Sequence, residues 1–319
     1  NVYVLAASDG EVLWAYHLGD QVKCSPAVDP WEGLVWCGSH GHRIAALRAT
    51  PSPGRPCACL WELPTSGSVF GSPAFDYPRR RVYVATLAGA LLAIDLAMQR
   101  DHGGETSPGA LDMQSGGAGM QAPTVAWERR VSAPAFSGPQ VDPGGKVLLG
   151  CVDGWLHCFG AEGTLRWRTL LGGPVFAPLC IPWRGGRGPG DSIALVAARD
   201  HTLYAVCTDD GSVMWKWAAD APLVAAPCVE LVGRDDDCQW RICVCSSDGA
   251  ATVLSVPRDT SAAPRGSASV GSHRGPQVLG RTHLGGDIFS SPVLIGGRLF
   301  VGSRDDHLYC LRLRPAGDA

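Results

Sequence analysis

The chain has 319 residues, 45% of them apolar and 18% charged, with 41 Gly, 24 Pro and a formal net charge of −3. That balance supplies a large core and leaves no electrostatic footprint for nucleic acid or an anionic membrane. Gly does not recur at every third residue and regular apolar runs persist, which excludes a collagen and a low-complexity chain.

In chain order, the first elements are two short strands, Val2 to Leu5 and Val12 to His17. A unit then repeats. One copy reads Gly67-Ser68-Val69-Phe70-Gly71-Ser72-Pro73, then Arg81-Val82-Tyr83-Val84-Ala85-Thr86, then Ala90-Leu91-Leu92-Ala93-Ile94. The last reads Asp287-Ile288-Phe289-Ser290-Ser291-Pro292, then Leu299-Phe300-Val301-Gly302-Ser303, then His307-Leu308-Tyr309-Cys310-Leu311. The second strand ends at Gly38, Ala85, Gly150, Ala197, Cys245 and Gly302, at spacings of 47, 65, 47, 48 and 57. A tryptophan marks the fourth strand at Trp14, Trp61, Trp127, Trp167 and Trp215, with Leu279 expected in its place in the last complete unit.

Each unit therefore holds four strands, A to D. Strand A precedes or contains the Ser-Pro, B is the most apolar, a tight turn leads to C, and D carries the tryptophan. Four strands per ~47 residues predict an all-β fold, a β-propeller of four-stranded blades. The long spacings place two loop insertions, expected to be disordered, at 98–123 and 258–277, between strands C and D of their units. We expect residues 1–319 to form a single propeller domain. The sequence opens on a C–D pair and closes on A–B–C, so the expectation is a ring incomplete at its N-terminal side, short of about one blade.

The 13 cysteines fall mostly in apolar strands, as Cys37, Cys151, Cys158, Cys207, Cys243, Cys245 and Cys310 do. They read as buried small hydrophobes in a reducing compartment, which together with the absence of a signal peptide gives a cytoplasmic expectation. No apolar run approaches the ~18 residues of a membrane span.

The segment Ala6-Ala7-Ser8-Asp9-Gly10-Glu11-Val12-Leu13-Trp14 resembles the repeat of the quinoprotein dehydrogenases (PQQ-like repeat), as does Ala205 to Trp215. The resemblance implies that an Asp-turn-Gly-to-Trp segment docks each blade on its neighbour. A closer resemblance is to the C-terminal propeller of the beta-alanine-activating enzyme family, also called acyl-CoA synthetase family member 4. It is carried by Val22-Lys23-Cys24-Ser25-Pro26, Gly38-Ser39-His40, Val82-Tyr83-Val84-Ala85-Thr86-Leu87, Gly150-Cys151-Val152-Asp153-Gly154 and Ile288-Phe289-Ser290-Ser291-Pro292. This implies a parent protein that activates an acid with ATP and hands it to a phosphopantetheine carrier domain. ATP and phosphopantetheine would belong to that parent, with no cofactor expected in this chain.

Motifs that would carry chemistry are sparse. A quinone–calcium site needs hard oxygen ligands, commonly with an Asn, and Asn1 is the only asparagine here. Leu284-Gly285-Gly286-Asp287-Ile288 imitates a carrier-domain motif, with Ile288 where the modified Ser would stand. His40 and His42 lack a suitably spaced third ligand, and Cys57-Ala58-Cys59 and Cys243-Val244-Cys245 lack second halves. Asp235-Asp236-Asp237 reads as an acidic hairpin tip, and Gly185 to Gly190 lacks the Lys-Ser/Thr of a P-loop.

One constellation follows from topology. Antiparallel order puts the B–C and D–A connections at the same end of every blade. The B–C turns carry His40, His42, Asp153, Arg199, Asp200, His201, Asp248, Arg304, Asp305, Asp306 and His307. This rim is the candidate partner-binding face. Trp14, Trp61, Trp127, Trp167 and Trp215 are the expected blade-docking residues. Two functions follow. The first is a non-catalytic docking or regulatory module for the adenylation and carrier domains of the same protein, or for another protein. The second is a quinoprotein-type oxidoreductase whose cofactor ligands lie partly upstream.

Overall fold

The computed structural model describes residues 1–48, 59–96, 122–182, 193–233, 238–257 and 275–313. The expected insertions at 98–123 and 258–277 lie, apart from their last residues, outside the described residues. So do Asp235-Asp236-Asp237 and Gly185 to Gly190. Every regular element described is a β-strand, and the fold is a β-propeller.

The chain divides into two compact units, 1–131 and 132–319. In the first, β1 (Val2–Leu5) pairs with β2 (Val12–Tyr16). A second sheet runs β3 (Ala27–Val28), β4 (Leu34–Ser39), β5 (Arg43–Arg48), β6 (Cys59–Pro64). A third runs β7 (Ala74–Asp76), β8 (Arg81–Ala85), β9 (Ala90–Asp95), β10 (Thr124–Arg130).

In the second unit, the fourth sheet is β11 (Gln140–Val141), β12 (Val147–Gly150), β13 (Trp155–Phe159), β14 (Leu165–Leu170). The fifth is β15 (Ile193–Ala197), β16 (Thr202–Cys207), β17 (Val213–Ala218), with strand A reduced to a bridge between Cys180 and Leu195. The sixth is β18 (Cys228–Val232), β19 (Gln239–Cys245), β20 (Ala250–Pro257), β21 (Gln277–His283). The seventh is β22 (Val293–Ile295), β23 (Arg298–Gly302), β24 (Leu308–Arg312).

Each sheet is an antiparallel meander, and within each unit neighbouring sheets share apolar cores. Of the B strands, β4, β12 and β15 are buried on both faces throughout, which is why they read as unbroken apolar runs. Strands D lie at one edge of their sheets and are mostly exposed; β14 alternates along its second half, whereas β21 is exposed throughout. One core joins the first and second sheets through Val2, Leu18, Val35 and Leu47. Another joins the fourth and fifth through Leu148, Leu156, Val196 and Val206.

The structure corrects the placement of strand A. It begins at the residue after the proline, at Ala27, Ala74, Gln140, Cys228 and Val293. Proline cannot donate to a ladder, so Ser-Pro closes the loop and the strand starts behind it.

The structure also corrects the place of Leu279. Every described C–D pair carries a bulge, and the tryptophan is the first residue paired beyond it. Val4 faces Trp14, Ala46 faces Trp61, Ala93 faces Trp127, Cys158 faces Trp167 and Ala205 faces Trp215. In the sixth sheet Leu254 faces Val278 and Val253 faces Gly280. Leu279 is therefore the bulged residue, 55% exposed, and Gly280 stands in the tryptophan's place. An extra residue on one strand re-aims the side chains after it. A pattern read residue by residue misses that shift.

β13 buries His157, whose Nε2 meets no hydrogen-bond partner among the described residues. Burial holds its pKa below the usual 6.5; Asp153 opposes that shift and Arg168 adds to it. A depressed histidine stabilises the fold above its unfolded pKa, and that stability is lost as pH falls through the folded value. Stability measured by urea unfolding is expected to decline as pH is lowered from about 6.5, and to decline less in His157→Gln. Parallel pH profiles for the two proteins would refute this.

Candidate functional site: the B–C end

Six B–C turns share one design. The second residue of each donates its backbone N–H to a carbonyl of the D–A loop. His40 donates to Gln21 (2.9 Å), Leu87 to Ser68 (2.9 Å), Val152 to Pro134 (3.1 Å), Arg199 to Pro174 (2.9 Å), Ser247 to Pro222 (2.9 Å) and Arg304 to Asp287 (2.9 Å). The residue after strand D returns a bond to the turn, as Thr65 N–H does to the His42 carbonyl and Leu171 N–H to that of Gly154. In these six sheets the B–C turn and the D–A loop thus form one latched edge.

The third residue is Asp153, Asp200, Asp248 or Asp305 in four of the sheets. Each carboxylate accepts the backbone N–H two residues on, at 3.2 Å, from Trp155, Thr202, Ala250 and His307 respectively. Each has a second donor: Ser132 Oγ for Asp153, Tyr204 Oη for Asp200, Ser246 Oγ for Asp248 and Tyr309 Oη for Asp305. The hydrogen bond from Tyr309 holds the Asp305 carboxyl below its usual range and raises the phenol in turn. Burial pushes the Asp248 carboxyl up, but the bonds from Ser246 and Ala250 outweigh it and the net shift is downward.

The fourth residue is left-handed in all six turns. Glycine fills it at Gly89, Gly154 and Gly249, and His42 (φ 58°), His201 (φ 67°) and Asp306 (φ 64°) fill it in the others. His and Asp are among the non-glycine residues that tolerate this region. Of the remaining rim residues, His40 is half-buried, with its ring 6.1 Å from that of Phe70. Arg199, Arg304 and His307 are exposed. The carrier-like stretch Leu284 to Ile288 is the D–A loop of the seventh sheet, with Ile288 fully buried.

The tryptophans lie outside this rim. Trp14, Trp61, Trp167 and Trp215 pack on cores shared by two neighbouring sheets. Trp127 has its ring 5.7 Å from that of Tyr83 in its own sheet. Trp167 Nε1 donates to the Thr208 carbonyl of the next sheet at 3.0 Å.

Five residues that support the rim are not among the sequence-predicted site residues: Ser132, Tyr204 and Tyr309, which donate to the turn carboxylates, and Phe176 and Phe289, which follow the latch. A signal was present. Leu171-Gly172-Gly173 with Arg199-Asp200 and Tyr204 recurs as Leu284-Gly285-Gly286 with Arg304-Asp305 and Tyr309. In both copies a Cβ on the first glycine would run into the Asp carboxylate, so the pattern is a packing requirement.

Among the described residues no three His, Cys, Asp or Glu side chains are grouped to hold a metal ion. The twelve described cysteines are free thiols. No helix among the described residues is long and apolar enough to cross a membrane.

A sequence profile described as the β-propeller of the beta-alanine-activating enzyme matches residues 1–313. The human beta-alanine-activating enzyme is 28% identical over 167 residues, 52% of this chain and 13% of that protein. The mouse enzyme is 30% identical over 168 residues, with the same coverage of 52% and 13%. The match thus takes in a small fraction of each relative's length. Among solved structures, the computationally designed Ika8 protein superposes with a TM-score of 0.66 at 11% identity, covering 98% of this chain and 77% of its own. The WD40 β-propeller domain of Doa1 gives 0.58 at 13% identity, covering 94% and 80%. At these identities the structural likeness speaks for the fold alone.

Proposed function

We propose, for a chain that belongs to the β-propeller family of the beta-alanine-activating enzyme, a non-catalytic docking role within an ATP-dependent acyl-activating protein. Its B–C end holds the adenylation and carrier portions of the parent, an AMP-forming acid–thiol ligase of the cytoplasm. The observation that carries this reading is the use made of the rim carboxylates. Asp153, Asp200, Asp248 and Asp305 are each held by a turn amide and a side-chain hydroxyl. A carboxylate tied to its own turn is a structural group, poorly placed for acid–base work or for binding a hard cation. What the latched turns offer instead is a rigid edge bearing exposed side chains, the usual platform for a partner.

Hydrogen exchange tests this. The amides of the six B–C turns should gain protection when the adenylation–carrier portion of a family member is added to the chain. Protection confined to the C–D turns, or none at all, would refute the docking role. Micromolar binding of pyrroloquinoline quinone with calcium, accompanied by dye-linked alcohol oxidation, would favour an oxidoreductase instead.

A further inference from the structure

Two of the latched turns carry more than a turn. In the fifth sheet the bond from Arg199 N–H to Pro174 sets the arginine beside the loop two residues ahead of Phe176, and its guanidinium lies 5.5 Å from the Phe176 ring centroid. In the seventh sheet the bond from Arg304 N–H to Asp287 does the same, and its guanidinium lies 4.1 Å from the Phe289 ring centroid. The sixth sheet, between them, has Val224 and Ser247 at the corresponding places and so lacks the pair.

Both arginines are exposed, and neither makes an ion pair or a side-chain hydrogen bond among the described residues. The nearest carboxylates in sequence, Asp200 and Asp305, are already bound to Tyr204 and Tyr309. Phe289 is itself 45% exposed, so its stacked cation stands out from the surface. A guanidinium laid on an aromatic face is pre-oriented, and its in-plane N–H fork remains free to take a planar oxyanion in two parallel bonds.

We propose that Phe176–Arg199 and Phe289–Arg304 are paired platforms that take carboxylates from an acidic polypeptide surface. The proposal rests on the docking role and names the chemistry of the docked partner. Three observations favour carboxylates on a polypeptide over a polyphosphate or nucleic acid. The platforms are separated by an intervening sheet, which suits charges spaced along a folded surface. The same loops expose Asp287 and Asp306, which would repel a dense run of phosphates. The chain as a whole is not basic, with a net charge of −3.

The test is calorimetric titration of this chain with a glutamate-rich decapeptide and, separately, with inorganic tripolyphosphate, at low salt and at 0.15 M. The peptide should bind and weaken with salt. Arg199→Glu with Arg304→Glu should reduce its affinity at least about tenfold. Arg199→Lys with Arg304→Lys keeps the charge and loses the fork, and should fall between. Phe289→Ala, which changes no charge, should also weaken binding, as a merely electrostatic surface would not. Arg166→Glu on β14 should leave binding unchanged.

Peptide binding indifferent to the double reversal would overturn the proposal, and so would tripolyphosphate bound more tightly through the same arginines. Turn amides protected by the adenylation–carrier portion equally in wild type and double reversal would remove the platforms while leaving the docking role standing. Absence of that protection in wild type removes the docking role itself.

Discussion

Trp167→Ala should lower the stability of the chain by about 3 kcal/mol, near the bottom of the range for deleting a large aromatic from a core. Trp167 is only half-buried, which sets the low end. Two losses combine. The indole leaves the core shared by the fourth and fifth sheets, a cluster that includes Leu156 and Val206 and against which it packs. It also ceases to donate to the Thr208 carbonyl, which it reaches at 3.0 Å. Trp167→Phe keeps an aromatic plate and loses only that bond, so its cost should be nearer 1 kcal/mol. Urea unfolding with an unchanged m-value is the measurement. If Trp167→Ala stayed within about 0.5 kcal/mol of wild type, the indole would not be a docking residue.

Gly211→Ala should cost about 2–4 kcal/mol, for reasons that meet at the same indole. Gly211 has φ +76°, a region that strains an L side chain by ~1–2 kcal/mol. A Cβ there would also lie 2.5 Å from Trp167 Cε3 and 2.6 Å from Thr169 Oγ1. Thr169 Oγ1 already donates to the Gly211 carbonyl at 2.6 Å, so it has little room to withdraw. The backbone part of the cost is independent of Trp167, and the overlap is not. In the Trp167→Ala background the cost of Gly211→Ala should therefore drop by about 1 kcal/mol or more. Strict additivity in this double-mutant cycle would mean that the turn and the indole do not touch in solution.

This wedge shows what the sequence made legible. A glycine four residues ahead of the tryptophan is visible at Gly10, Gly163 and Gly211, and at Gly211 it packs against the Trp167 of the preceding sheet. The buried B strands are visible because burial on both faces leaves no polar alternation. Gly280 was not visible, because a bulge shifts register without changing composition. The roles of Asp153, Asp200, Asp248 and Asp305 were only half visible. Polar turn residues announce an exposed edge, but whether a carboxylate points to a partner or to its own turn is decided by where a hydroxyl is aimed, whether it stands two residues away, as Ser246 does, or 21 away, as Ser132 does. The Phe–Arg platforms were hidden for the same reason, since Phe176 and Arg199 meet only through the latch between loop and turn.

The D–A loops are tied on both sides. Val175 N–H bonds to the Cys151 carbonyl of the fourth sheet, while the Pro174 carbonyl accepts Arg199 N–H of the fifth. Leu223 and Pro222 repeat the arrangement between the fifth and sixth. A connection held at both shoulders has a fixed number of residues. Added length in a repeat must therefore enter through A–B or C–D connections, at the opposite edge of each sheet. The spacings of 65 and 57 do so, since their surplus falls between β9 and β10 and between β20 and β21. Evolution has thus been free to lengthen this protein along one edge of its blades and has been held to a fixed count along the other.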